Sequence, residues 1–312
     1  MKVSVIIPVY NAEQFLKIAV MSALDQAETA EVILAEDNSA DDSLDVCRSL
    51  EKEYQRVSLV RHPDLENHGA GATRNLGVRN VTMEYLAFLD ADDFYLADRF
   101  KVAAELFSEY ENIDGVYEAI GVCFEDEEAE NRWISYENSD ITTLSECVCP
   151  DKLCDLLLEG GNGTFSLDGL TVKRSIFKKC GYFFENLILH QDTAMTIQMA
   201  QFGSLHPGRL DAPVAMRRVH SGNRSISNYD RNYTSSLMWK TLFEWSIENR
   251  IQIVRITAIF LQYLYFIRCN VIDRRSGNRI DLRQLRILIL ETLKHPILSA
   301  RALKEHFRRK IV

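Results

Sequence analysis

The sequence predicts an α/β protein with a mainly parallel sheet flanked by helices, followed by a C-terminal helical extension. Short apolar, β-branched runs alternate with segments of helical spacing over residues 1–105. Carboxylates follow directly on two of these runs, at residues 36–37 and 90–93. After residue 230 the alternation ends, and long helical patterns separated by asparagine, glycine and proline take its place. The sheet is therefore expected in the first part of the chain and a helical region over residues 231–312.

The elements expected in the first part follow one another in a regular order. The predicted strands are Val3–Val9, Glu31–Ala35, Val57–Val60 and Tyr85–Leu89, and the predicted helices are Ala12–Gln26, one that begins at Asp41–Ser43, and one entered from a glycine-bearing loop at residues 67–75. If the first strand is central, the carboxyl ends of the first, second and fourth strands line one crevice. Open α/β sheets place their ligands at such a crevice.

Three carboxylates follow the fourth strand. Its five apolar residues suit a strand buried on both faces, and Asp90, Asp92 and Asp93 come directly after it. Because strand side chains alternate, Asp90 and Asp92 are expected to point the same way, with Ala91 turned away. Two such carboxylates suit a hard divalent cation that keeps some of its waters. The alternatives are a solvated acidic turn or a helix N-cap, and a cap is the role expected for Asp93.

Beyond residue 100 the pattern is less regular. We expect a helix over residues 100–110, a strand over residues 115–124, a solvated acidic hairpin tip at residues 125–130 and a short strand over residues 167–172.

Charge is unevenly distributed along the chain. The 312 residues carry a net charge of −9, with −18 over residues 1–234 and +7 over residues 271–312. An acidic main domain would repel a phosphate chain, which argues against nucleic-acid binding. The seven cysteines have neither paired nor zinc-type spacing, and the N-terminal apolar run is too short for a signal peptide. We therefore expect a cytoplasmic protein with reduced thiols.

Four segments within the first 93 residues together resemble family-2 glycosyltransferases. They are Ser4–Asn11, the acidic tip Glu36–Asp41, the loop Asn67–Asn75 and Asp90–Asp93. The resemblance implies a GT-A fold, a Rossmann-like sheet that binds a nucleotide sugar, over residues 1–230. Residues 1–105 would form its nucleotide-binding half and residues 106–230 its acceptor half. No Gly-x-Gly-x-x-Gly follows the first strand and no P-loop lysine is present, so neither a dinucleotide-binding protein nor a P-loop NTPase is expected.

The resemblance also implies a set of donor-binding residues. Those expected to border the nucleoside, the nucleotide or the sugar are Pro8, Tyr10, Glu13, Asp37, Asn67, Gly71, Arg74, Asp90 and Ala91. Asp37 would accept a hydrogen bond from uracil. The tip Glu36-Asp37-Asn38-Ser39 departs from the family's usual Asp-Asp-Gly-Ser, but Asn38 tolerates the left-handed backbone that glycine would adopt. Glu36 is longer than the Asp usual at this position, a departure that bears on the base preference.

The metal and phosphate contacts are implied in the same way. Asp92 would ligate Mn²⁺ or Mg²⁺ bridging the two phosphates, and Asp90 would hold the ribose or a metal-bound water. His220 would complete the metal shell or touch the diphosphate, with a structural histidine as the alternative. Arg218 or Arg224 would offset phosphate charge. For Arg74 the alternative to a nucleotide contact is an ion pair with a strand-end aspartate.

Asp192 is the catalytic residue that the resemblance implies. The family has an acidic pair at this point, and this chain has Gln191-Asp192, so the second member is retained. A carboxylate at a helix N-terminus is stabilised in its ionised form and can accept a proton from an attacking hydroxyl. The alternative is that Asp192 only caps its helix, and His190 is expected to be structural or to lie on the acceptor side.

The expected reaction is the inverting, metal-dependent transfer of a sugar from a nucleotide sugar. UDP is the expected nucleotide. The expected acceptor is a hydroxyl of a glycan or of a lipid-linked molecule in polysaccharide synthesis. An inactive nucleotide-sugar-binding or scaffolding protein is the alternative, and a nucleotidyltransferase would need a basic glycine-rich loop that the first strand lacks. The basic helices of residues 231–312 are expected to contact the inner face of the membrane peripherally, to form a homodimer, or to pack internally or on the acidic domain.

Overall fold

The computed structural model describes residues 1–134, 140–220, 223, 231–273, 279–280 and 282–301. Its helices are α1 (Leu16–Leu24), α2 (Ser43–Glu53), α3 (Gly69–Asn80), α4 (Lys101–Glu109), α5 (Glu127–Ile134), α6 (Pro150–Glu159), α7 (Ile176–Cys180), α8 (Gln191–Phe202), α9 (Arg231–Glu248), α10 (Ile253–Val271) and α11 (Leu282–Lys294). The first three helices each follow a strand, which confirms the βα alternation expected from the sequence.

The strands form one large sheet and two smaller ones. They are β1 (Val3–Val9), β2 (Thr29–Glu36), β3 (Val57–Arg61), β4 (Tyr85–Phe88), β5 (Phe94–Tyr95), β6 (Gly115–Tyr117), β7 (Ile120–Phe124), β8 (Ile141–Thr142), β9 (Leu170–Lys173), β10 (Leu205–Pro207), β11 (Ala215–Val219), β12 (Ile272–Asp273) and β13 (Arg279–Ile280). The large sheet has the order β10-β6-β9-β4-β1-β2-β3. Strands β1 to β4 are parallel, and β9 is antiparallel to both β4 and β6. The mainly parallel sheet is thus confirmed.

Strand β1 lies at the centre of the parallel part, as expected. It pairs with β2 on one side and with β4 on the other. Val5 and Ile7 pack in the same core cluster as the apolar face of α1. Ile6 points to the opposite face, where a Cβ on Gly77 of α3 would collide with its side chain. Because β4, β1 and β2 are adjacent and parallel, their carboxyl ends meet at one edge of the sheet.

The strand expected over residues 115–124 is two strands in different sheets. β6 belongs to the large sheet and β7 to the second sheet, which has the order β5-β11-β7-β8. The break falls at Glu118, whose buried carboxylate pairs with the buried guanidinium of Arg99 at 3.0 Å. A charged pair of this kind leaves no trace in an apolar run, so the sequence pattern did not reveal the break.

The prediction of an acidic hairpin tip at residues 125–130 is wrong. Helix α5 begins there, and the Asp126 carboxylate accepts the backbone N–H of Ala129 at 2.7 Å. Ala129 and Trp133 are buried against Val219 at the end of β11. The acidic residues occupy the first turn of the helix, where the helix dipole favours them.

The chain divides into two compact units, one of Met1–Asn186 with Met195–Ser227 and one of Leu187–Ala194 with Asn228–Val312. In the second unit α10 packs against α9 and α11. Rings of Phe243, Phe260 and Tyr263 lie together, with centroids 4.8 to 6.4 Å apart. Among the described residues, no helix combines the length and the apolar character needed to span a bilayer. The basic residues 308–310 lie outside the described residues.

Candidate functional site

Two asparagines shape the turn that follows β1 and the tip that follows β2. Asn11 adopts a left-handed backbone, with a φ of 50°, and its side-chain oxygen accepts the backbone N–H of Ala40 at 2.8 Å. Pro8, near the end of β1, is half-buried, and Tyr10 is 38% exposed. Both residues lie at the carboxyl end of β1, and their expected place beside the nucleoside stays a prediction.

Glu13 and its neighbour link the same turn to the start of α2. The Glu13 carboxylate accepts the backbone N–H of Asp42 at 2.9 Å, and the backbone N–H of Glu13 donates to Asp41 at 3.2 Å. The backbone N–H of Ala12 donates to the Ser43 hydroxyl at 2.8 Å. Glu13 thus has a structural bond in addition to its expected place beside the nucleoside.

The altered acidic tip after β2 keeps its left-handed turn. Asn38 has a φ of 56°, as its substitution for glycine predicts. The longer Glu36 is buried and uses both oxygens, accepting from Arg61 Nε at 2.7 Å and from the Ser39 backbone N–H at 2.6 Å. Glu36 is therefore committed to the neighbouring strand and to the turn.

Asp37 holds the loop that enters α3. One carboxylate oxygen accepts the backbone N–H of His68 at 2.8 Å. The other accepts the backbone N–H of Gly69 at 2.9 Å and Asn67 Nδ2 at 3.0 Å. Asp37 is 1% exposed. Gly69 has a φ of 82°, a left-handed backbone conformation that glycine adopts without steric cost. Asp37 and Asn67 are thus brought together, and the uracil contact of Asp37 stays a prediction.

Helix α3 carries the next two expected donor residues. Gly71 is buried in its first turn. Arg74 donates from Nη2 to Asp90 at 2.5 Å, which is the ion pair with a strand-end aspartate that the sequence left as an alternative. Its guanidinium also lies 5.8 Å from the centre of the Phe183 ring. Asn75 pairs with the backbone of Phe183 in both directions, at 2.9 Å each.

The carboxylates after β4 do not lie on a continuous strand. Strand β4 ends at Phe88, so the simple alternation expected for Asp90 and Asp92 does not apply. Asp90 reaches Arg74, and its backbone N–H donates to Asp168 Oδ1 at 2.9 Å. Carboxylate oxygens of Asp90, Asp93 and Asp168 lie within 4.8 Å of one another. Asp168, in the 3-10 turn before β9, is therefore an additional member of the site.

Asp93 is a buried group and does not cap a helix, since β5 follows it. It is 3% exposed and accepts the backbone N–H of Arg218 at 2.8 Å. Burial, and then the Asp168 carboxylate, raise the pKa of Asp93 well above its usual range. Burial also raises the pKa of Asp168, and the side chains of the two residues are hydrogen-bonded. This pair is the buried part of the cluster, whereas the side chains of Asp90 and Asp92 are 38% and 29% exposed.

Asp92 meets His220 at the end of the second sheet. Asp92 Oδ2 lies 3.0 Å from His220 Nε2 and accepts Asn223 Nδ2 at 3.1 Å. Ala91, between the two aspartates, is buried. His220 was expected to complete the metal shell or to touch the diphosphate; it directly follows β11 and lies beside Asp92, and that role stays a prediction. Arg224, the second cation expected near the phosphates, lies outside the described residues.

These residues fit a divalent cation. Two partly exposed carboxylates and one imidazole nitrogen, at the mouth of the crevice, offer the hard oxygen and borderline nitrogen donors that Mn²⁺ or Mg²⁺ accepts. Asp92 Oδ2 and His220 Nε2 lie 3.0 Å apart, and the described residues that cluster within 4.8 Å are Asp90, Asp93 and Asp168. Which ion binds, and whether Asp92, Asp90 and His220 are its ligands, stay predictions.

Asp192 lies in the first turn of α8, within the segment that belongs to the second unit. Its Oδ1 accepts the backbone N–H of the adjacent Thr193 at 2.7 Å, a local bond inside the first turn. His190 has a φ of 65°, and its Nε2 lies 3.3 Å from the hydroxyls of Thr234 and Ser235. His190 is thus bonded to α9, which agrees with the structural one of its two expected roles, and the role of Asp192 as a base stays a prediction.

Asp168 was not singled out from the sequence, although a signal exists. Within Leu167-Asp168-Gly169-Leu170 it is an isolated acid in an otherwise apolar stretch, and it is 1% exposed. Carboxylates are almost never buried to this degree unless they are paired or hydrogen-bonded. A lone acid within a predicted strand is therefore a reason to look for a distant polar partner.

Relatives and solved structures bear on the family and on the fold. The chain is 29% identical over 274 residues to an uncharacterized glycosyltransferase of Rickettsia conorii, a match that covers 83% of this chain and 41% of that protein. It is 32% identical over 118 residues to the minor teichoic acid biosynthesis protein GgaA of Bacillus subtilis, covering 36% of this chain and 26% of that protein. The chain thus spans less than half the length of either relative.

Residues 1–349 of S. aureus TarS, in complex with UDP-GlcNAc, superimpose on 98% of this chain and 80% of that chain, with a TM-score of 0.67 and 17% identity. At this identity the likeness bears on the fold alone and agrees with the GT-A architecture. The model of the family described as glycosyl transferase family 2 matches residues 4–181, which is more than half of the chain. With that match, the chain belongs to glycosyl transferase family 2.

Proposed function

We propose that this protein transfers a sugar from a UDP-sugar to a hydroxyl group of a glycan or a lipid-linked acceptor, with inversion and with the help of a divalent cation. The observation that carries the proposal is the convergence of Asp92, His220 and Asn223 at the carboxyl edge of the parallel sheet. The Asp37-bound loop lies at the same edge, after β2. Family membership and the UDP-GlcNAc complex of a protein with the same fold support a nucleotide sugar as the donor.

The proposed chemistry is a single displacement. The acceptor oxygen attacks the anomeric carbon while the bond from that carbon to the diphosphate oxygen breaks, and the bonding electron pair leaves with UDP. Asp192 takes the proton of the attacking hydroxyl. Its place in the first turn of α8 supports this role, because the helix dipole favours the carboxylate form there.

On the donor side, the chain would bind the diphosphate through Asp92, Asp90 and His220 together with Mn²⁺ or Mg²⁺. The cation, when bound, neutralises charge that develops on the leaving diphosphate. The remaining donor contacts come from the chain itself: Pro8 and Tyr10 beside the nucleoside, and Arg74 oriented by Asp90 near the sugar or phosphate. Each of these roles can be tested by substituting the residue concerned.

Polysaccharide synthesis is the proposed context, and the teichoic acid role in the name of the B. subtilis relative supports it. The division into a GT-A domain over residues 1–230 and a basic helical extension over residues 231–312 is part of the proposal. On α11, Ile289 and Leu293 are 50% and 70% exposed, and Lys294 lies beside them. Such a surface supports a peripheral contact with the inner face of an anionic membrane. The alternative is that a second copy of the chain covers it in a homodimer.

A panel of UDP- and GDP-sugars tests the donor assignment. We expect hydrolysis or transfer with UDP-sugars in the presence of Mn²⁺ or Mg²⁺, and its loss on chelation. Asp92→Ala should abolish turnover and metal-assisted UDP binding. The matched control is Asp45→Asn, because Asp45 is a 76% exposed carboxylate of the same unit. Wild-type turnover by Asp92→Ala would contradict the proposal.

Asp192→Asn separates the base from the donor site. It should remove transfer while UDP affinity, measured by calorimetry, stays close to that of the wild type. If the wild-type protein binds UDP but turns over no member of the donor panel with any acceptor or with water, the inactive sugar-nucleotide-binding protein is favoured instead.

A further inference from the structure

Phe15 connects helix α1 to the residues around Asp92. It occupies the N-cap position of α1, and its ring centroid lies 4.8 Å from that of His220. The same ring lies 5.0 Å from the Arg218 guanidinium. The core face of α1 is formed by other residues, among them Leu16 and Ala19, and Phe15 is only half-buried. Its position is therefore not explained by the packing of α1.

Arg218 is held in a fixed orientation by its own contacts. Its guanidinium lies between two rings, 5.0 Å from Phe15 and 5.4 Å from Phe94. Its Nε donates to the backbone carbonyl of Asp92 at 3.0 Å, and its backbone N–H donates to the Asp93 carboxylate. A planar guanidinium suits this double stacking with a directed Nε bond, and a lysine ammonium does not.

Together these contacts fix both partners of the Asp92–His220 pair. Arg218 holds the backbone of the turn that carries Asp92, and Phe15 packs against the imidazole of His220. We propose that Phe15 and Arg218 are positioning residues that preset Asp92 and His220 for a divalent cation and the diphosphate it accompanies. Arg218 was expected to offset phosphate charge, and its contacts assign it this supporting role. The inference rests on the proposed role of Asp92 in metal binding.

Manganese binding tests the inference without relying on turnover. Free Mn²⁺ is measured by electron paramagnetic resonance during titration of the protein with MnCl₂, with and without UDP. Phe15→Leu should weaken Mn²⁺ binding in the presence of UDP about 10-fold or more, the range typical for residues that orient metal ligands. Phe15→Tyr, which keeps the ring, should stay within about twofold of the wild type.

Arg218→Lys provides the second test, because it keeps the charge and removes the stacking and the Nε bond. It should weaken Mn²⁺ binding as Phe15→Leu does, whereas a residue that only offsets phosphate charge would retain most of its effect as lysine. Tyr54→Leu is the control, since Tyr54 is a partly buried aromatic residue of the same unit at the end of α2. Circular dichroism establishes that each variant is folded.

The outcomes distinguish this inference from the proposed function. Wild-type Mn²⁺ affinity in both Phe15→Leu and Arg218→Lys would overturn the positioning role while leaving the function intact. Wild-type Mn²⁺ affinity in Asp92→Asn would mean that the proposed metal role of Asp92 fails, and the inference with it. Equal weakening in Tyr54→Leu would show a general loss of packing, which would also overturn the inference.

Discussion

Replacing Asp37 by asparagine tests what this buried carboxylate does. In the folded protein it accepts two backbone N–H groups, from His68 and Gly69, and the side-chain amide of Asn67. Asparagine has one acceptor oxygen in place of two, and its NH₂ group would face at least one of these donors. Asp37→Asn should therefore loosen the entry of α3 as well as any base contact.

The magnitude follows from the number of bonds lost. A hydrogen bond to a charged group contributes about 1.5–3 kcal/mol, and a buried donor left without a partner costs about 1–3 kcal/mol. Losing the charge assistance of three bonds and leaving one N–H unpaired should lower the free energy of unfolding by roughly 3–5 kcal/mol. This is a large part of the roughly 5–15 kcal/mol that stabilises a typical protein.

Urea unfolding followed by circular dichroism, together with UDP titration, measures both effects. The matched control is Asp64→Asn in the same loop, because Asp64 is 54% exposed and accepts from the His68 ring. Little change is expected there. If Asp37→Asn unfolds at the wild-type urea concentration and loses only UDP affinity, Asp37 serves the base and not the loop, and this reasoning is refuted.

Three further predictions concern buried groups of the first unit. Glu118→Gln leaves the buried guanidinium of Arg99 without its countercharge, so urea unfolding should show a loss of about 3–5 kcal/mol. Asn75→Ala removes the two-way pairing with the backbone of Phe183, and faster amide hydrogen exchange over residues 183–186 should report it. Burial raises the pKa of the Cys47 thiol to about 12, so at pH 9 iodoacetamide should modify the exposed Cys147 and spare Cys47, as mass spectrometry would show.

The fold of residues 1–105 could be predicted because its signals are local. The apolar run of β1 and the left-handed turn at Asn38 are both written in a few consecutive residues, and the structure has both. The meeting of acid-tipped strand ends followed from a general rule of parallel sheets, once β1 was placed at the centre. Local sequence patterns and one topological rule were therefore enough to predict this part of the fold.

The rest depends on partners far apart in the chain. Asp168 bonds to the backbone of Asp90, and Arg218 to that of Asp92, and neither pairing leaves a periodic pattern. The break at Glu118 exists because Arg99 neutralises a buried charge, which the apolar pattern around it does not reveal.

The antiparallel strand β9 has a consequence for how the protein is made. It pairs Tyr85 of β4 with Lys173, so β4 gains its second neighbour only after residue 173 has been synthesised. Until then the nascent chain presents an unpaired strand edge, which other chains can join. Asp168 arrives with the same strand, so the carboxylates at positions 90 and 93 acquire their partner at that moment. A gene fragment that ends at residue 105 would therefore yield an aggregation-prone polypeptide with an incomplete acidic cluster.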